Sequence, residues 1–374
     1  MAARIPLATP HMSAEGYELN YIQDAFNKNW IAPLGENVNE FEKAMGFFLG
    51  EGYPVALSAG TAALHLSLIL AGVKPGDIVF CQSLTFSASA NPITYLGATP
   101  IFIDSDRETW NMDPAALENA FALYGKPAAV VVVHLYGNPA QIDKITALCD
   151  QHGVPLIEDA AEALGSDYKG KRCGTFGQFG VLSFNGNKII TSSGGGMLLC
   201  RAEADAKHAL KLATQAREPF PWYQHEEIGY NYRLSNICAG IGRGQMHVLE
   251  LRIQQKRAIF DRYAEKLAGL PLCLQPETKH GLSNRWLTTL LLEENCGVTP
   301  AQLLDALAAE NIEGRPLWKP MHAQPVFADC KYVTAGDHSV CDDLFARGIC
   351  LPSDTKMGLD DVDRVCDVIR KVFG

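Results

Sequence analysis

Five short segments between Pro54 and Asp159 constrain the fold most: PVALSAG, DIVFC, TPIFID, AAVVVVHLYG and VPLIED. Each is apolar or rich in β-branched residues, and each ends in polar ones. Helical patterns lie among them, as in TAALHLSLILAGV (closed by Gly72), PAALENAFALYG and PAQIDKITALCDQHG. Strands alternating with helices at this spacing predict a largely parallel sheet covered on both faces. In such sheets ligands gather beyond the carboxyl ends of the strands, so the residues just past each strand are the ones placed to carry chemistry.

The length, 374 residues, allows two domains. A long helical pattern runs from Ser235 to Leu267 and is followed by a Leu-Pro break and fresh strand and helix signals. This predicts a large domain over 1–245 and a smaller C-terminal domain over 246–374, with the long helix as connector. With 47% hydrophobic and 20% charged residues the chain reads as globular. A formal charge of −10 argues against nonspecific nucleic-acid binding, but leaves room for a small phosphorylated ligand at a local site. No apolar run is long enough to cross a bilayer, and MAARIPLATPHMS lacks the apolar core of a signal peptide, so a cytoplasmic protein without membrane partners is expected. The 11 cysteines are scattered from Cys81 to Cys366 without a CxxC, and the 10 histidines form no HxxH or HExxH. Reduced thiols and no metal site are expected.

Several strand exits carry candidate chemistry. Ser58-Ala59-Gly60-Thr61 lies where a strand turns into a helix, which suits either an anion on free backbone amides or an ordinary N-cap. Gly165 to Lys171 spells GxxxxGK, but Arg172 stands where a nucleotide-binding loop needs Ser or Thr, and Lys169-Gly170 reads as a hairpin turn. That motif is rejected. Asp159 ends the strand VPLIED; buried, it needs a cationic or proton-donating partner, which a pyridinium nitrogen would supply, unless it caps a helix over AAEAL. Lys188 lies in the loop between GVLSF and GMLLC, among small polar residues and the Gly194–Gly196 run, which lets the backbone turn tightly. No acid is near it in NGNKIITSS, and a Schiff-base lysine must be free of a salt bridge. Phe86 stacks on a ligand ring or packs in the core. An anion cradle, a buried aspartate and a later lysine together suggest pyridoxal 5′-phosphate, in its aldehyde and pyridoxamine forms.

The ordered set SAGTAALHLSL, QSLTFSASAN, TPIFID, HLYG, EDAAEALGS, the SFxxxK loop, GYNYRLSN and RPLWKPMH resembles the DegT/DnrJ/EryC1/StrS sugar aminotransferases over nearly the whole chain. The resemblance implies an α/β pyridoxal-phosphate-dependent transferase of fold type I, like aspartate aminotransferase, and a homodimer with shared active sites. It assigns Lys188 as the Schiff-base lysine, Asp159 as the pyridinium partner and Phe86 as the stacking aromatic. Gly60, Thr61 and Ser183 match phosphate contacts, and Asn231 a phosphate contact made to the neighbouring subunit. Glu162 stands where Gln is common, beside the cofactor's phenolic oxygen, and its role stays open. Arg315, Trp318 and His322 fall in a segment that faces the sugar-nucleotide cleft. The implied reaction moves the amino group of L-glutamate to C4 of a UDP-linked 4-keto-6-deoxy-N-acetylhexosamine, as in bacillosamine or legionaminic acid routes. GDP- or dTDP-linked, perosamine-type substrates are the alternative, although perosamine synthases tend to carry a glutamate in this loop where Ser193 stands here. A noncatalytic cofactor-binding regulator is a third reading, which the intact Lys188–Asp159 pair disfavours.

Overall fold

The computed structural model describes residues 3–374. Its main sheet has eight strands, in spatial order Tyr53–Leu57, Gly196–Cys200, Phe179–Ser183, Leu156–Asp159, Ala129–Val133, Ile78–Gln82, Thr99–Ile103 and Lys331–Val333. Gly196–Cys200 pairs antiparallel with both neighbours, and the remaining pairings are parallel. The period of two decides what covers each face. Val79, Cys81, Val131, Ile157, Val181 and Leu198 meet the helix Gly60–Leu70 on one side. Phe80, Ile101, Ile103, Val130, Val132 and Leu156 meet the helices Pro114–Tyr124 and Ile142–His152 on the other. The strand-and-helix alternation read from the sequence is therefore a three-layer α/β sandwich, and the rejected GxxxxGK segment is a hairpin. Asp167–Tyr168 and Lys171–Arg172 pair across Lys169 (φ 53°) and Gly170 (φ 78°).

A second, antiparallel sheet of four strands is built from Leu272–Leu274, Thr288–Leu292, Gly348–Leu351 and Arg315–Pro316. Helices Leu249–Lys266, Pro300–Ala309 and Leu359–Phe373 pack on it through Ile259, Tyr263, Leu303, Leu307, Val365 and Ile369. The continuous helix expected over 235–267 is instead two, Asn236–Met246 and Leu249–Lys266, separated at His247 and Val248. The chain also crosses the expected boundary at 245 in both directions. Lys331–Val333 extends the main sheet beside Thr99–Ile103, and Ile5 forms a parallel bridge with Ile312. Among the described residues, no helix is long and apolar enough to cross a membrane.

One buried hydrogen-bonded pair fixes the strand that ends at Asp159. Glu158 accepts from His134 Nε2 at 3.0 Å and from the amides of Gly174 (2.9 Å) and Gly177 (2.6 Å). Both side chains are fully buried, and His134 Nδ1 accepts from the Ala140 amide at 3.1 Å. Three donors saturate a carboxylate that burial would otherwise penalise heavily. Glu158→Gln turns one acceptor into a donor facing donors. It should cost about 3 kcal/mol, read as a lower urea midpoint with an unchanged m-value.

Candidate active site

Because successive strand residues point to opposite faces, Asp159 faces away from Glu158, into a cavity of about 560 Å³ at the carboxyl ends of the strands. Among its lining are Ser58, Gly60, Thr61, Phe86, Asp159, Glu162, Ser183, Lys188 and Trp318. The geometry thus converges most of the residues that the sequence singled out. Asp159 Oδ2 accepts from Ser89 Oγ at 2.7 Å, and Oδ1 from the Ala161 amide at 3.2 Å. Residues 160–165 form turns, so Asp159 caps no helix there. Its side-chain donor comes from the Ser87–Ser89 turn, where Ser89 Oγ also meets Thr85 Oγ1 at 2.7 Å.

At the opposite side of the cavity the helix Gly60–Leu70 begins. Its first intrahelical bond runs from the Ala63 amide to Ala59 O, leaving the amides of Gly60 and Thr61 outside the helix ladder. A Cβ on Gly60 would sit 3.1 Å from Ser183 Cβ, so glycine lets the hydroxyl of Ser183 close against the helix start. Gly196 is tighter: a Cβ there would overlap the Ala59 carbonyl carbon and the Gly60 nitrogen. The glycine run was expected to make a tight turn. In the structure the left-handed residue is Ser193 (φ 70°), whereas Gly196 serves close approach of strand to cradle.

Lys188 corrects a second expectation. Its Nζ lies 3.5 Å from Glu162 Oε1 and 4.4 Å from the centre of the Trp286 ring. The acid missing from the local sequence is supplied across the sheet, because the strands leading to Glu162 and to Lys188 are parallel neighbours. Glu162 also accepts from the Tyr136 amide at 2.7 Å through Oε2. Tyr136 holds φ at 58°, unusual for a bulky side chain, and its hydroxyl accepts from the Trp318 amide at 3.1 Å. Burial pushes the Glu162 carboxyl up to about 7 and the charge of Asp159 adds to this, while Lys188 and the Tyr136 amide pull it down.

Phe86 belongs to no core. It is 57% exposed and meets Trp318 at 5.6 Å between ring centres. Trp318 in turn meets Tyr136 at 5.2 Å and Trp286 at 6.3 Å. Three residues expected near the ligand lie outside the cavity of their own chain. Asn231 lines a separate recess with Arg233 and Phe220. Arg315 is exposed and pairs with Glu313 at 2.9 Å. His322 is bonded to Ser83 and Asp342. Trp286 and Ser89 were missed by sequence reasoning. Trp286 enters from the start of the Thr288–Leu292 strand, about a hundred residues from Lys188, with its indole N–H on Asn187 O at 2.8 Å. No local motif signals that contact, whereas Ser89 sits in the polar run QSLTFSASAN and was within reach.

The donor set fits pyridoxal 5′-phosphate: helix-start amides for a phosphate, a fixed carboxylate for a ring nitrogen, and an amine facing both. Fold and site together define a pyridoxal-phosphate-dependent transferase of fold type I. The chain belongs to the DegT/DnrJ/EryC1/StrS aminotransferase family, whose model matches residues 13–370, and it is an aminotransferase with pyridoxal phosphate as cofactor. It is 53% identical over 379 aligned residues to EpsN of Bacillus subtilis, whose name places it among the pyridoxal phosphate-dependent aminotransferases; the match covers 100% of this chain and 97% of that one. It is 36% identical to the GDP-perosamine synthase of Escherichia coli O157:H7, covering 99% and 98%. The crystal structure of the aminotransferase TlmJ from Streptoalloteichus hindustanus superposes with a TM-score of 0.90 at 29% identity, covering 99% and 98%.

The raised Glu162 carboxyl has a thermodynamic signature. Between about pH 4.5 and 7 the folded chain keeps a proton that the unfolded chain has released. The stability this provides is full below 4.5 and is lost as pH rises through 7, at about 1.4 kcal/mol per pKa unit. Glu162→Gln cannot ionise. Its thermal midpoint should therefore gain on that of the parent as the buffer is raised from about pH 5 to about pH 8. A constant difference across that range would show that Glu162 is not held protonated.

Proposed function

We propose that this aminotransferase moves the amino group of L-glutamate to the C4 keto carbon of a nucleotide-linked 4-keto-6-deoxy sugar. The observation that carries the reading is the convergence of Lys188, Asp159 and the Gly60–Thr61 amides on one cavity with an aromatic wall. Rings such as Phe86 and Trp318 offer flat apolar faces to a sugar or base, alongside a few placed polar groups. When bound, pyridoxal phosphate supplies an electron-withdrawing ring and the aldehyde that takes up the amino group.

The chain's own residues do the rest. The amides of Gly60 and Thr61 and the hydroxyls of Thr61 and Ser183 bind the phosphate at the helix start. Asp159, with both oxygens fixed by Ser89 and Ala161, holds a proton on the ring nitrogen. Nζ of Lys188 takes the proton from Cα of the amino donor, and in the return half gives one to C4 of the sugar. Glu162, beside Nζ, is placed to exchange a proton with it. Asn231, exposed and turned away from its own cavity, is read as serving the cavity of a second copy in a homodimer.

Two acceptors compete within this reading. The loop with Ser193 supports a UDP-linked N-acetylhexosamine, and the near full-length likeness to a GDP-perosamine synthase supports a GDP-linked hexose. Incubation with L-glutamate and UDP-, GDP- and dTDP-linked 4-keto sugars, with products resolved by NMR, decides between them. Amination of none would overturn the proposal. Lys188→Ala should lose about a thousandfold or more in turnover while still retaining cofactor through its phosphate. Asp159→Asn should bind cofactor and turn over about a hundredfold more slowly. Near-parental rates in either variant would remove that residue from the chemistry.

A further inference from the structure

His322 was expected to face the sugar nucleotide, but its ring is fully engaged elsewhere. Nε2 meets Asp342 Oδ1 at 3.1 Å and Nδ1 meets Ser83 Oγ at 2.7 Å, while the ring lies flat on Tyr332 with centres 3.6 Å apart and planes 11° apart. Since a carboxylate only accepts, Nε2 carries the hydrogen. Nδ1 of the neutral ring therefore accepts from the Ser83 hydroxyl. Two further bonds bind the same segments: the Met321 amide to Ser83 O at 2.8 Å, and the His322 amide to Ser83 Oγ at 3.3 Å.

The joined segments matter for what each carries next. Ser83 follows the strand Ile78–Gln82 and leads within three residues to Phe86. His322 closes the segment that begins with Trp318. Phe86 and Trp318 are the two flanks of the cavity that touch each other. The geometry points to His322 as a positioning residue that never meets a ligand: with Ser83 it clamps the Phe86 and Trp318 flanks together, and the clamp opens when the imidazole takes up a proton. The consequence for substrate rests on the reading of Phe86 and Trp318 as walls of the sugar site.

The proton sensitivity follows from the bonding. A protonated Nδ1 becomes a donor, so the Ser83 hydroxyl must accept from it as well as from the His322 amide. Its own hydrogen then has no partner, and Ser83 is fully buried. The charged and titratable groups facing the ring are Asp342, Asp104 and the stacked Tyr332. Burial lowers the His322 pKa from its usual 6.5, and the two aspartates only partly offset this. The ring is therefore neutral and the clamp closed at neutral pH. It is lost only in acid.

Three variants test this in the full chain loaded with pyridoxal phosphate. Ser83→Ala removes the hydroxyl and keeps the Met321 bond. His322→Phe keeps a flat ring on Tyr332 without an acceptor, and His322→Asn offers Oδ1 near the place of Nδ1. The first two should raise KM for the 4-keto sugar about tenfold and leave the half-reaction with L-glutamate within about twofold. Combined, they should be no worse than His322→Phe alone. His322→Asn should stay within about twofold of the parent. A substrate-free reading accompanies these. The Trp318 contribution to fluorescence, obtained by subtracting matched Trp318→Phe proteins, should shift red in Ser83→Ala and His322→Phe but not in His322→Asn. As the pH is lowered from about 8 to about 4.5, the parent should show the same shift, over and above any change that His322→Asn shows as Glu162 takes up its proton. Should every sugar be refused, the substrate reading fails and the fluorescence still decides the clamp. Parental KM and fluorescence in Ser83→Ala would overturn it, as would His322→Asn being as impaired as His322→Phe. A pH-invariant parent would overturn its release by protonation. If His322→Phe fails to fold, Ser83→Ala alone decides.

Discussion

The site depends on the alternation of side chains at the end of one strand. Glu158 and Asp159 are adjacent, so the pleat sends them to opposite faces. Glu158 is saturated by His134 and two glycine amides inside the sheet's own covering layer. Asp159 reaches the cavity with its two oxygens fixed by Ser89 and Ala161. A slip of one residue would put Glu158 in the cavity and Asp159 in the core. The buried pair sets the register that turns Asp159 toward the cavity.

Around that point the cavity is assembled by backbone proximity. Gly196 brings the last strand against Ala59 and Gly60, and Gly60 admits Ser183 beside the helix start. These glycines are needed for space, and the strained conformations sit on Ser193 and Tyr136 instead. Tyr136 is a junction, with its amide on Glu162 and its hydroxyl on the Trp318 amide. The acid beside Lys188 and the aromatic flank are thereby coupled through one residue, while Ser83 and His322 tie the flanks from behind. Polar contacts of this kind are costly to leave half-made in a buried setting, which keeps the wall ordered.

Much of this was legible in the chain. The strands near Leu57, Gln82, Ile103, Val133 and Asp159 announce themselves because fully buried parallel strands must be apolar along their whole length. The residues that line the cavity were legible too, since Asp159 ends a strand and Gly60-Thr61 and Lys188 follow theirs. Distant pairings were not. Glu162 lines the same cavity as Lys188, and its contact with that lysine differs from the salt-bridge-free amine that a local window suggests. Trp286 gave no signal, because its ring reaches Lys188 from about a hundred residues further along the chain. His322 was read as a ligand because it shares a motif with Trp318. Only its bonds to Ser83 and Asp342 show that its donors and acceptors are already engaged.

The sequence by itself determined the layer order, the parallel strand core and the residue types at the strand exits, because periodicity and turn chemistry are local properties of a chain. Tertiary structure alone decided which acid meets Lys188, which hydroxyl fixes Asp159, and that Lys331–Val333 leaves the C-terminal part to extend the main sheet. It also decided that the lysine without a neighbour in NGNKIITSS has two, Glu162 and Trp286. The physical reason is the same in each case. Burial and charge depend on what is near in space, and parallel strands bring together residues that are tens of positions apart.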